Sequence, residues 1–128
     1  MEFKLYRCAH CGNVVWKVVD KGVPVICCGE PMSEWKPNTA DGALEKHVPV
    51  VERKPHGSGS TVTVKVGEVA HPMLPEHFIT WVALETNLGS QIKYLEPGQK
   101  PEAQFILVEG EEVKAVYEYC NIHGLWKA

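Results

Sequence analysis

The sequence predicts a mainly β chain in two parts, a small cysteine-held module over residues 1–36 and an antiparallel β-sandwich over residues 37–128. Three observations lead there. Four of the five cysteines, Cys8, Cys11, Cys27 and Cys28, fall in the first quarter of the chain. The turn-forming run Gly29-Glu30-Pro31-Met32, followed by Pro37, marks a boundary near Lys36. Beyond that boundary, short β-rich segments are separated by polar, Gly- and Pro-rich turns.

The first module is too short to bury a core unaided, and chains of about 35 residues usually need a metal or disulfides to hold them. In the second part a short helical turn is expected over Ala40–Glu45. Strands follow over His47–Arg53, Thr61–Val66, Phe78–Thr86, Gln91–Leu95, Ala103–Val108 and Val113–Tyr119. The clearest is Thr61-Val62-Thr63-Val64-Lys65-Val66, which alternates with period two. Turns are expected at His56–Ser60, Asn87–Ser90, Pro97–Pro101 and Gly110–Glu112.

Composition excludes several function classes. With 45% hydrophobic and 23% charged residues over 128 positions, the chain reads as globular rather than disordered. A net charge of −3 with no basic run argues against a nucleic-acid partner. No apolar stretch approaches the ~20 residues needed to span a bilayer. The opening Met1-Glu2-Phe3-Lys4-Leu5-Tyr6-Arg7 has no apolar core of a secretory signal, so the expected compartment is the cytoplasm.

An odd cysteine count with clustered spacing favours metal binding over a disulfide framework. Cys8-Ala9-His10-Cys11-Gly12 has the form of a metal knuckle, in which two thiolates face one ion and the glycine permits the tight turn. Cys27 and Cys28 are adjacent, and neighbouring strand residues point to opposite faces, so a bend is required for both to reach that ion. Gly29 and Pro31 are placed to help it. Spacing alone leaves zinc and iron open at this site.

A second set of donors lies in the larger part. His71-Pro72-Met73-Leu74-Pro75-Glu76-His77 puts two histidines at the ends of a proline-stiffened connection. Cys120-Asn121-Ile122-His123-Gly124 is a C-x-x-H turn, and His47 precedes the first β-rich segment. Together His47, His71, His77, His123 and Cys120 would supply four nitrogens and one thiolate, more than the four ligands of a plain structural zinc site. Such a set suits iron with one open position. His10 would be redundant beside four thiolates, and His56 falls in a Gly/Ser turn; both are read as bystanders, and Trp81, Tyr119 and Trp126 as core or site-wall residues.

These motifs, taken in order, resemble the desulfoferrodoxin family of two-iron superoxide reductases. Cys8-x-x-Cys11-Gly12-Asn13 and Cys27-Cys28-Gly29-Glu30-Pro31-Met32 are similar to its desulforedoxin module. Glu45-Lys46-His47-Val48-Pro49, His71-Pro72-Met73 through Glu76-His77, and Cys120-Asn121-Ile122-His123-Gly124-Leu125-Trp126-Lys127 resemble its catalytic domain. The match covers nearly the whole chain, although residues 14–26 lack the family's glycine-rich spacer. The resemblance implies an immunoglobulin-like sandwich and two mononuclear iron ions (Fe2+/Fe3+). One would be held by Cys8, Cys11, Cys27 and Cys28 as an electron relay, the other by His47, His71, His77, His123 and an axial Cys120. It further implies one-electron reduction of superoxide to hydrogen peroxide, with Lys46 attracting the anion and Glu45 occupying the sixth position of oxidised iron. A rubredoxin-like electron donor is implied as well. A homodimer is expected because the small module has little core of its own.

Overall fold

The structure, a computed structural model, describes residues 3–128; Met1 and Glu2, at the head of the segment read as lacking a secretory signal, lie outside the described residues. The chain divides into two compact units, Met1–Lys36 and Pro37–Ala128.

In the first unit, β1 (Leu5–Arg7) pairs with β2 (Val14–Trp16), joined by the cysteine knuckle. The two-residue strands β3 (Ile26–Cys27) and β4 (Glu30–Pro31) pair with each other, and β5 (Ser33–Glu34) returns to the other edge of β1. Among the described residues of this unit the buried apolar set is Phe3, Leu5, Cys8 and Met32, with Phe3 packed on Trp16 at 5.3 Å between ring centroids. That is a very small core.

The second unit opens on α1 (Leu44–His47), a single turn closed by the Val48 N–H bond to Leu44 O. It continues as β6 (Pro49–His56), β7 (Gly59–Val66), β8 (Ile79–Thr86), β9 (Ser90–Tyr94), β10 (Glu102–Leu107), β11 (Val113–Cys120) and β12 (Gly124–Lys127). All pairings are antiparallel, in a three-stranded sheet of order β10-β7-β6 and a four-stranded sheet of order β12-β11-β8-β9. The period-two pattern read for β7 reappears as burial: Val62, Val64 and Val66 are enclosed while Thr61, Thr63 and Lys65 are not. These valines meet Ile79, Val82, Leu84, Phe105, Leu107, Val116 and Cys120 in one apolar cluster between the sheets. The outcome is the mainly β, immunoglobulin-like sandwich with a separate small metal-type module.

Three local expectations are corrected. The helical turn is not over Ala40–Glu45 but over Leu44–His47, so His47 ends a helix instead of starting a strand. The imidazole explains the displacement, because its Nδ1–H donates to Ala43 O at 2.8 Å and ties the side chain to the turn's own start. The first hairpin turns on Gly57 and Ser58 alone, so His56 is the last residue of β6 and pairs with Gly59. Gly57 has φ +61°, as the two-residue hairpin turns that match sheet twist require. β12 was not expected, since Gly124–Lys127 reads as the tail of the C-x-x-H motif; it instead forms an edge strand on β11.

Candidate metal centre

Four segments bring the five donors of the sandwich unit together. His47 ends α1, and His71 follows β7 on a loop pinned by its own N–H to Val66 O, 2.9 Å. His77 closes a tight turn in which Leu74 and His77 exchange both backbone hydrogen bonds. Cys120 ends β11, and His123 lies in the turn to β12.

The four imidazoles close a ring. Centroid separations are 4.8 Å for His47–His71, 4.6 Å for His71–His77, 5.1 Å for His77–His123 and 4.7 Å for His123–His47, each pair edge to face. Cys120 Sγ lies 3.7 Å from His123 Nδ1. The five donor atoms all lie within 4.8 Å of one another.

The outer hydrogen bonds decide which nitrogens point inward. His47 and His71 use Nδ1 to donate to Ala43 O (2.8 Å) and Pro72 O (2.7 Å), which leaves both Nε2 atoms as lone pairs. The Nε2 atoms of His71 and His77 are buried without any hydrogen-bond partner. His123 turns Nδ1 inward, 3.1 Å from His47 Nε2. Metal–nitrogen bonds of about 2.1 Å set at right angles would separate two nitrogens by about 3.0 Å, which fits that contact. Two orphaned, buried nitrogens on His71 and His77, converging with the His47–His123 pair and the Cys120 sulfur within 4.8 Å, fit a metal ion. Burial also lowers the pKa of His71, to about 4, and those of His47 and His77, so these rings are neutral donors near neutral pH. Burial raises the pKa of the Cys120 thiol, while the backbone N–H groups of His123 and Ile122 oppose the shift; the His123 N–H lies 3.4 Å from the sulfur.

Close packing holds His47. Trp126 stacks on His47 with ring centroids 4.8 Å apart, and its Nε1–H donates to His123 O at 3.1 Å. Gly67 runs directly beneath α1, where an added Cβ would sit 2.8 Å from Glu45 O and 2.9 Å from the Lys46 carbonyl carbon.

Lys46 and Glu45 are both exposed on α1. Lys46 is close enough for its charge to lower the pKa of His47 and of His77. The Glu45 backbone carbonyl accepts from Val69 N at 2.8 Å, and Glu45 lines a surface depression with Leu44, Val48, Pro49 and Glu68. Among the described residues nothing joins the Glu45 carboxylate to the histidine ring.

Sequence reasoning missed Glu118. Its side chain is fully buried in β11 with both carboxylate oxygens unpartnered, and burial raises its pKa to about 9. The clue was available, since Glu118 shares the inward parity of Val116 and Cys120.

In the small unit, Cys8, Cys11, Cys27 and Cys28 also present sulfurs within 4.8 Å of one another. The Cys11 and Cys27 sulfurs are 3.6 Å apart; two bonds of about 2.3 Å at a tetrahedral angle would give a similar spacing. The knuckle donates N–H groups to sulfur, from Cys11 to Cys8 at 3.5 Å and from Asn13 to Cys11 at 3.4 Å. The bend required between the adjacent cysteines falls at Cys28 itself, with φ +53°, and continues through Gly29 at φ +76°. The Cys11 N–H helps lower the pKa of Cys8 to about 6, whereas crowding by Cys8, Cys11 and Cys27 raises that of Cys28 to about 12. Four sulfurs converging at this spacing fit a bound cation. His10 instead pairs with Glu30 at 3.0 Å on the surface, and His56 is exposed at its strand end.

The chain is also similar to known proteins along its whole length. The Desulfoferrodoxin family profile matches residues 39–128, and that of the Desulfoferrodoxin N-terminal domain matches residues 1–34. The chain is 46% identical to a desulfoferrodoxin of Nitratidesulfovibrio vulgaris over 127 residues, which is 99% of this chain and 96% of that one. It is 38% identical to a superoxide reductase of Pyrococcus horikoshii over 70% of this chain and 89% of that one. The crystal structure of the superoxide reductase from Treponema pallidum superposes with a TM-score of 0.79 at 40% identity, covering 100% of this chain and 99% of that one. With both profiles matched in order and relatives aligned end to end, the chain belongs to the desulfoferrodoxin family.

Proposed function

We propose that this protein is a superoxide reductase, which adds one electron and two protons to superoxide and releases hydrogen peroxide. The observation that carries the reading is the closed ring of four imidazoles beside one buried cysteine sulfur. Family membership supports iron at both sites. We assign His47, His71, His77, His123 and Cys120 as ligands of one mononuclear iron, and Cys8, Cys11, Cys27 and Cys28 as ligands of a second, each cycling between Fe2+ and Fe3+. Residues 1–36 then form the Fe(Cys)4 domain and residues 37–128 the catalytic domain.

When bound, the iron of the histidine ring supplies the electron and an electrophilic position for the superoxide anion. The chain's own residues do the rest. The net charge of −3 opposes approach of an anion, so attraction must be local. Lys46, exposed beside His47 and acting on two ring histidines, is the cation placed to supply it, and its ammonium N–H groups can order water for protonation. Glu45, exposed on the same turn, is proposed as the carboxylate that approaches the site in the oxidised protein. The Cys120 sulfur, with its N–H donor from His123, tunes electron donation into the site.

Lys46→Ala is expected to slow the bimolecular reaction with superoxide roughly 10-fold and to flatten its dependence on ionic strength, since steered association weakens with salt. Pulse radiolysis across a salt series checks this; unchanged rates and salt slope would remove Lys46 from the mechanism.

The partners follow from the same reading. A rubredoxin-like protein is proposed as electron donor, and exposure of Cys11 and Cys28 gives it access to the thiolate site. A homodimer formed through the small unit is supported by exposed Val18, Val19, Val23 and Ile26 on that unit. Five unpaired cysteines that must stay reduced to bind metal favour the cytoplasm. No helix among the described residues is long and apolar enough to cross a membrane.

The reading is tested by metal analysis with visible absorption spectra before and after mild oxidation. Two irons per chain, a red thiolate–iron spectrum and a further charge-transfer band on oxidation are expected. Zinc at both sites in protein from its native source, with no visible bands, would overturn it.

A further inference from the structure

His77 differs from His47 and His71 in how it is held. Metal-binding histidines usually donate their second ring N–H to a fixed acceptor, which sets the ring's orientation. His47 and His71 do so through Ala43 O and Pro72 O. Among the described residues no group is hydrogen-bonded to the His77 ring, and its Nε2 is orphaned. Its orientation must therefore come from its backbone.

That backbone is gripped on both sides by one residue. Asn121 Nδ2 donates to Glu76 O at 3.1 Å, and Asn121 Oδ1 accepts the Phe78 N–H at 2.9 Å. The Asn121 backbone N–H also donates to Phe78 O at 3.2 Å. Three hydrogen bonds thus bracket His77, and all originate in the turn that carries Cys120 and His123. The β8–β11 ladder prepares this grip. Tyr119 pairs with Trp81 but Cys120 pairs with Ile79, so β8 has one extra residue, Thr80, at this point. The bulge turns Ile79 into the core and brings Phe78 level with Asn121, a use of bulges common beside functional sites. A primary amide suits the task because it offers a donor and an acceptor at once, like a peptide group.

We propose that Asn121 is a positioning residue, a clamp that locks His77 to the Cys120–His123 turn so that three of the five donors are held as one unit. The proposal rests on the reading of these five residues as metal ligands. Asn121 is exposed, so its side-chain bonds contribute little to overall stability. Its effect lies in the geometry of the site.

The test uses the full-length protein with iron(II) as the probe, and the four-cysteine site of the same chain as internal control. Asn121→Ala is expected to weaken iron retention at the histidine site against a competing chelator by about 10- to 100-fold, the usual cost of losing an outer-shell partner. The thiolate charge-transfer band of the oxidised protein should shift, while retention at the four-cysteine site stays at its wild-type value. Asn121→Asp keeps the acceptor for Phe78 N–H but sets a carboxylate against Glu76 O, so it should fall between wild type and alanine. Faster amide exchange at Phe78 in the metal-free Asn121→Ala chain should accompany both. Wild-type retention, band position and Phe78 exchange in the variants would overturn the clamp, as would equal loss at both sites. Wild-type protein that takes up no iron at the histidine ring would count against the ligand reading instead, and Phe78 exchange then decides the clamp by itself.

Discussion

Stripping both metals with a strong chelator is expected to unfold residues 3–36 while residues 37–128 keep their sheets. The first unit has only Phe3, Leu5, Cys8 and Met32 buried among its described apolar residues, and several of its strands are two residues long. Of these, Phe3, Leu5 and Met32 contribute only about 1.5–3 kcal/mol each when fully buried. A structural metal in a module of this kind supplies about 10–16 kcal/mol that is inseparable from folding. The second unit has a continuous core between its sheets, from Val62 to Val116, that needs no ion. Residue-level hydrogen exchange should therefore show protection lost by orders of magnitude in β1, β2 and β5. In β7, β8 and β11 it should change little. Full protection of the first unit after removal of both metals would show that its fold does not depend on the four cysteines.

Trp126→Ala is expected to be the most destabilising single substitution near the site, at about 3–5 kcal/mol. Trp126 is among the largest fully buried side chains; it stacks on His47 and donates to His123 O, so it braces two histidines of the ring at once. For a domain of this size that cost lowers the melting midpoint by roughly 15–30 °C. Measuring the midpoint in the metal-free chain separates lost packing from lost metal. Trp126→Phe keeps part of the stacked area but forfeits the indole hydrogen bond and leaves a small cavity, so it should cost about 2 kcal/mol, less than the alanine variant. A fall of less than about 5 °C for the alanine variant would mean that the ring is not the brace its contacts indicate.

Much of the architecture was legible because it is written in local patterns. The alternation of Thr61–Val66 is a period-two signal that burial reproduces residue by residue. The donor residues stood out because cysteine and histidine are uncommon and their spacings are short: C-x-x-C, C-C, H-x5-H and C-x-x-H. What local pattern could not convey was how distant segments constrain one another. The helical turn moved to Leu44–His47 because the His47 ring anchors on Ala43 O, a contact that belongs to the folded site. β12 escaped notice because an edge strand of four residues gains its pairing from β11 rather than from its own composition. Asn121 was legible as a motif letter but not as a clamp, since its partners Glu76 and Phe78 lie more than forty positions away. Glu118 was overlooked inside a correctly read strand because a carboxylate is not expected on a core face.

The measurement that tests the central claim most directly is the stoichiometry of superoxide consumption, with peroxide and dissolved oxygen followed together in the presence of a one-electron donor. A reductase forms one hydrogen peroxide per superoxide consumed and evolves no oxygen, and that is the expected result. Half as much peroxide, with oxygen released in equal amount, would identify dismutation and contradict the assignment.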